Sequence, residues 1–262
     1  MTSSAWRRVF ERNALRTARL AGDDAAALPV KLRAPLGRSL GRFFLGESGE
    51  GRIVAEARAT RDPAFDADTV ESVRLYIAEE WRHAREVASV LAAIGTRPPA
   101  HTPSEVIFRR GRRLLGLRLK MLTIGAAEVT GIVYYAVLAE RVPAASVRAL
   151  ARQISDEEER HLRFQRDFFA RAIREHARGP RAIEAAVTAG LFVAIAGAGA
   201  AIVAAEHGPL LARLGVSRGS FLARCARVAI DALRGRAPGS VPEAVDQEVV
   251  ELAVGDRDRR LG

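Results

Sequence analysis

The sequence predicts an all-α protein, and three observations carry the expectation. Of its 262 residues 48% are hydrophobic but only 6% aromatic, so alanine, leucine and valine do the packing, a palette that favours helix. No run alternates apolar and polar residues as a half-buried strand would. Turn signals instead divide the chain into long segments of 3.6-residue periodicity. The length suffices for one large domain, or a domain with an appendage, and for a sizeable core.

Residues 1–36 form a basic helical segment. Arg7, Arg8, Glu11 and Arg12 leave no apolar stretch of the kind a secretory signal needs. A helix over 4–20 would gather Trp6, Val9, Phe10 and Leu20 partly on one side, a packing face before it is a membrane anchor. Pro35-Leu36-Gly37 precede a first long helix, about 37–60, which Arg61-Asp62-Pro63 stops. Asp68 or Thr69 caps a second helix that runs to about 94, and Gly95 to Pro103 reads as a loop. A third helix spans about 104–141, Pro143 breaks it, and a fourth continues to Gly179-Pro180 near 178. These four make a bundle over 37–178. Residues 179–262 then form a C-terminal helical extension: a fifth helix over 181–206, a sixth over 217–234 and a tail helix from about 241.

The formal net charge of +10 suits an anionic partner, whether nucleic acid, an anionic membrane surface or an acidic protein, without choosing among them. Cys225 is the lone cysteine, which excludes internal disulfides, CxxC zinc sites and cysteine-held iron–sulfur or rubredoxin-type centres. The compartment expected is the cytoplasm, with a peripheral place on the inner membrane as the alternative.

The chemistry begins in the stretch SDEEERHLRF, Ser155 to Phe164, which contains Glu158-x-x-His161. One such spacing is common on any charged helix. The second helix repeats it, however, as Glu80-x-x-His83 in IAEEWRHAREV, and both residues shift by 158 minus 80, or 78 positions. A helical hairpin therefore occurs twice. Residues three apart share a helix face, and these faces also carry Val73, Ile77 and Val87 in one copy and Ala151, Ile154 and Gln165 in the other. Charges on an apolar face are costly unless paired or bound to a cation. Two inward Glu-x-x-His pairs call for one further glutamate from each remaining helix, completing a four-carboxylate, two-histidine dinuclear site. The third helix supplies Glu128, the single charge between Met121 and Ala139. On the first helix Glu56 faces away from the stripe of Phe43, Val54 and Ala57. Glu50 keeps the repeat, since 80 minus 50 and 158 minus 128 are both 30, whereas Glu47 lies one turn earlier on the same stripe. Periodicity leaves those two tied.

The set resembles the ferritin-like di-iron carboxylate proteins, which include rubrerythrins and demethoxyubiquinone hydroxylases. Gly46-Glu47-Ser48-Gly49-Glu50-Gly51-Arg52-Ile53 is similar to the GE-x-G-x-x-RI start of the hydroxylases' first ligand helix, and Gly-Glu-Ser also opens the rubrerythrin motif. Asp156 to His161 is similar to the DEE-x-x-H motif of the fourth helix. The likeness covers residues from about 40 to 170. It implies a ferritin-like four-helix bundle and prefers Glu47 as ligand, with Glu50 as alternate. The implied roles are Glu80 and Glu158 bridging two metals, Glu47 and Glu128 terminal, and His83 and His161 one per metal. Oxygen-rich ligation with two imidazoles suits two irons, two manganese ions or a mixed pair. The expected function is a non-haem di-iron oxidoreductase that activates dioxygen, a hydroxylase or oxidase of a small or lipophilic organic substrate. Two alternatives stand beside it: a rubrerythrin-like peroxide reductase, here without a rubredoxin module, and a non-enzymatic iron-binding, ferroxidase or membrane-associated protein. No flavin, nicotinamide or iron–sulfur fingerprint is present, so an external electron donor, such as an acidic carrier protein, is expected.

Other features take plainer readings. Tyr76 and Tyr135 are expected as core aromatics with satisfied hydroxyls, outside the site. Gly125 and Gly131 beside Glu128 leave either a channel or room for close helix packing. His101, His176 and His207 are expected at the surface or as helix caps. Residues 185–205 are uncharged and long enough to span a bilayer. Their alanine and glycine content favours a buried fifth helix covering the bundle over a membrane-inserted or homodimer-forming one.

Overall fold

A computed structural model describes residues 1–49, 51–102, 106, 110–111 and 115–236, and helix is the regular structure found among them. The chain is all-α, as composition and periodicity predict. In chain order the helices are α1 (Ser3–Ala14), α2 (Asp23–Ala26), α3 (Val30–Glu47), α4 (Arg52–Ala59), α5 (Ala67–Ala93), α6 (Leu117–Arg141), α7 (Ala145–His176), α8 (Arg181–Glu206), α9 (Gly208–Arg213) and α10 (Arg218–Arg234). Glu50 and the tail helix expected from about 241 lie outside the described residues, as does most of the start expected for the third helix.

The first long helix of the sequence reading is two helices. α3 ends at Glu47 and α4 begins at Arg52, with Gly46, Gly49 and Gly51 around the break. Glycine is about 1 kcal/mol poorer than alanine inside a helix, so three of them here uncouple the two pieces. α5 is capped by Asp66, not by Asp68 or Thr69: Asp66 has extended backbone and its side chain accepts the Thr69 N–H at 2.7 Å. Asp68 falls in the first turn, where its charge suits the helix dipole.

α3 packs along α5 and α6 along α7, so the repeated hairpin is realised as two helix pairs. Two apolar clusters fill the interior. One joins α2, α3, the end of α5, α6, the first half of α7 and α8 to α10. The other joins α1, α4, the start of α5 and the Phe164–Phe168 turn of α7. Along α5 the change from the second cluster to the first falls between Ile77 and Val87, where Glu80 and His83 lie. α1 seats Trp6 and Phe10 in the second cluster, so the basic N-terminal helix is a packed element.

Two expectations need correction. α8 is not a buried covering helix: Phe192, Ala196, Ala200 and Ala204, four residues apart, make one narrow buried stripe, while Ile183, Val187, Leu191, Val193 and Ile202 are exposed. Small alanines bring this stripe close to α6, and α10 packs beside it. His207 does lie between α8 and α9, but its ring is buried: Nδ1 is 2.6 Å from Ser39 Oγ, and the rings of Phe43 and Tyr134 meet it edge-on.

Candidate metal centre

The helix pairs bring Glu47, Glu80, His83, Glu128, Glu158 and His161 together. Two groups form, each offering four ligand atoms within 4.8 Å of one another: Glu47, Glu80, His83 and Glu158 in one, and Glu80, Glu128, Glu158 and His161 in the other. Glu80 and Glu158 belong to both. The two groups overlap through two carboxylates, one from each copy of the repeat, and these Glu and His residues could hold a metal ion.

Each histidine is oriented from behind. His83 Nε2 lies 2.8 Å from Glu157 Oε2, and His161 Nε2 lies 2.9 Å from Glu79 Oε2. A carboxylate on Nε2 fixes the proton there and leaves the Nδ1 lone pair for a metal. The Nδ1 atoms do face the cluster, at 3.2 Å from Glu158 Oε1 for His83 and 2.9 Å from Glu80 Oε1 for His161. Glu157 is itself held by Arg82, at 2.5 Å, and by Arg16, at 3.0 Å. Glu47 and Glu128 are held by phenols: Tyr135 donates to Glu47 at 2.7 Å, and Tyr76 donates to Glu128.

These four supports extend the sequence reading. Tyr76 and Tyr135 are core aromatics, as expected, yet their hydroxyl partners are the candidate ligands, and a phenol's partner on another helix leaves no trace in local spacing. Glu79 and Glu157 did leave one: each immediately precedes a Glu-x-x-His, again 78 residues apart (157 minus 79). Gly125 serves close packing, since an added Cβ there would sit 3.0 Å from Gln165. Gly131 faces Glu158 Cγ at an ordinary 3.6 Å.

The electrostatics fit a cation. Buried Glu80 Oε1 and His83 Nδ1 meet only groups of the cluster itself, His161 Nδ1 at 2.9 Å and Glu158 Oε1 at 3.2 Å, contacts that a metal between them would replace. Burial, then repulsion from neighbouring carboxylates, raises the pKa of Glu80 and Glu128 well above the usual carboxylate range. Burial also opposes the charge on Glu158, but hydrogen bonds from His161, His83 and Glu128 outweigh it and hold that carboxyl well below its ordinary value. Both imidazoles rise well above theirs, because their carboxylate partners overcome desolvation. The crowded acids thus demand positive charge, and a divalent metal supplies it without protons. Glu47 ends α3, where the negative pole of the helix dipole disfavours a carboxylate unless a cation lies opposite.

Around this polar centre Phe10, Tyr76 and Phe164 pack on the His161 side, with Phe10 and His161 ring centres 6.0 Å apart. A cleft of about 290 Å³ opens between α6, α7, α8 and α10, walled by Leu122, Leu162, Phe169 and Phe192, with Gly125 and Gln165 also lining it. Gly125 is one turn before Glu128 and Gln165 one turn after His161, so the cleft reaches within a helical turn of the cluster. Gln165 is buried, and neither of its amide atoms has a partner. No family model matches the chain, and neither a curated protein nor a solved structure matches it.

Proposed function

We propose that this protein is a ferritin-like, non-haem dinuclear oxidoreductase that uses dioxygen to hydroxylate or oxidise a small lipophilic molecule. The observation that carries the reading is the sharing of Glu80 and Glu158 between two four-residue groups of converging, largely buried ligand atoms. Glu47, Glu80, His83, Glu128, Glu158 and His161 would hold two irons, or manganese in their place. When bound, such a pair supplies two-electron redox chemistry with dioxygen or peroxide.

The protein's own part is positioning and exclusion. Glu79 and Glu157 hold the imidazoles, and the Tyr76 and Tyr135 hydroxyls hold the terminal carboxylates at one oxygen each. Phe10, Tyr76 and Phe164 keep water from the His161 side. The apolar cleft ending on Gln165 supports a lipophilic substrate with one hydrogen-bonding group, since buried amide atoms favour a partner. The exposed apolar face of α8, continued by Leu222, Ile230 and Leu233 of α10, supports a place on a membrane surface from which such a molecule would enter. Electrons come from an external donor, and the net charge of +10 favours an acidic one.

The test is to load the purified chain with ferrous iron, supply a reductant and oxygen, and follow both oxygen and iron. The reading expects repeated oxygen turnover at a fixed iron content of two per chain. Accumulation of many oxidised irons per chain would establish storage instead. Peroxide consumed far faster than oxygen would establish a peroxide reductase.

A further inference from the structure

Residues 15–19 lie over α7, near buried Glu157, and form a groove of about 850 Å³. That volume is within the range of roughly 300–1,000 Å³ typical of ligand pockets. Its charged lining is lopsided. Arg16, Arg19, Arg152 and Arg160 line it, and Asp156 is the acid that lines it with them. Two acids lie buried behind the wall and are held there by other groups: Glu157 pairs with Arg82 at 2.5 Å and bonds the His83 ring at 2.8 Å, and Glu86 accepts the Arg19 backbone N–H at 2.9 Å and the Gln153 amide at 3.3 Å.

The arginines are short of partners. Arg16 reaches Glu157 at 3.0 Å and Arg160 reaches the same carboxylate oxygen at 3.4 Å, so the two compete for one acceptor. Arg160 Nε and Nη2 are buried beneath the groove surface and make no hydrogen bond. Arg19 bonds only the neutral Gln153 amide through its side chain, at 3.3 Å, and Arg152 has no side-chain partner among the described residues. Four like charges converging on a concave surface repel, and a multiply charged anion relieves that repulsion. Guanidinium forks match phosphate oxygens two at a time. A phosphate monoester carries about 1.5 to 2 negative charges at neutral pH, whereas a single carboxylate would leave most of the excess in place. Leu15, Ala18 and Ala149 give the rest of the groove an aliphatic wall for an organic remainder.

We infer that this groove binds a small phosphate ester, its phosphate group held by Arg16, Arg19, Arg152 and Arg160. Arg16 joins this site to the metal centre through two hydrogen bonds, Arg16 to Glu157 and Glu157 to His83. The site is independent of the reaction proposed above and of what occupies the apolar cleft.

Calorimetric titration of the full chain with inorganic phosphate and with phenyl phosphate tests this, at low and physiological salt and both before and after chelation of metal. The expected result is saturable binding of one equivalent, unchanged by chelation. Arg152→Gln and Arg19→Gln should each weaken it at least fivefold, while Arg227→Gln on the exposed face of α10 leaves it intact. Both groove arginines are exposed, so circular dichroism should report an unaltered fold in their variants. Equal affinity in all three variants would overturn the inference in favour of diffuse surface charge. Loss of binding on chelation would assign the phosphate to the metal centre. Binding to phosphatidylglycerol vesicles, with no saturable uptake of either soluble probe, would assign the arginines to a membrane surface.

Discussion

α6 and α8 are both long enough and apolar enough to cross a membrane, yet they meet opposite environments. α6 has a mean hydropathy of 1.6 over its most apolar window, 83% of which is buried. α8 is more apolar, at 2.2, and only 17% of its window is buried. Hydropathy therefore does not decide burial in this chain; neighbours do. α6 lies between α7 and α8 and touches α4 and α10, so each of its faces meets another helix. It also carries Glu128, the charge that a solvated face would explain and a buried face does not. α8 buries the Phe192–Ala204 stripe, packs Ile195 and Val203 partly beside it, and leaves Ile183, Val187, Leu191, Val193 and Ile202 exposed. α6 buries an acid within an apolar run, whereas α8, more apolar still, leaves most of its apolar side chains exposed.

A matched pair of substitutions should separate the two helices most widely. Val129→Asp in α6 places an unpaired charge at a fully buried position and should destabilise the protein by about 4 kcal/mol or more. Val193→Asp in α8, at a position 48% exposed, should change stability by no more than about 0.5 kcal/mol in detergent-free buffer. Urea unfolding of both proteins measures the contrast, and comparable losses would erase it.

The second effect sharpens how the end of α8 is anchored. Burial, and then the nearby Arg42 charge, depress His207 from 6.5 to about 3. Ser39 and Tyr134 face the ring from α3 and α6 and carry no charge. Between pH 6.5 and about 3 the unfolded chain binds the extra proton. This contribution to stability is therefore full above pH 6.5 and falls away as the solution is acidified, by an amount on the order of a few kcal/mol. His207→Gln should flatten that part of the pH–stability curve between pH 7 and 5. An unchanged slope would place the ring in water.

Smaller effects belong to the stripe and to the bare face. Phe192→Ala removes the one large side chain of the buried stripe and should cost about 3 kcal/mol. Leu191→Glu, on the adjacent exposed side, should cost little in solution, yet it should lower recovery of the protein with membranes if that face meets lipid. Thermal unfolding and membrane sedimentation read the two outcomes.

The parts of the site that sequence revealed were those with a period. Two Glu-x-x-His pairs at one offset, and an acid isolated among apolar residues, identify α5, α6 and α7 because each signal lies within a single helix. Glu47 is different: periodicity ties it with Glu50, and the structure draws Glu47 into the cluster through a helix end that three glycines create. Glu79 and Glu157 leave a signature only in the repeat, each preceding a Glu-x-x-His, whereas the Tyr76 and Tyr135 bonds cross between helices and have no local signature. The exposure of α8 was illegible for the same reason, since composition records what a helix would tolerate and not what lies beside it.

The central claim is that the buried carboxylates exist to hold two metal ions. Metal analysis of the purified chain beside Glu128→Ala and Glu158→Ala tests it most directly. The account predicts about two iron or manganese ions per chain in the parent protein. Removing the shared Glu158 should abolish nearly all of this content, and removing the terminal Glu128 should lower it sharply. A parent protein without metal after growth in iron and manganese, or metal content unchanged in both variants, would contradict it.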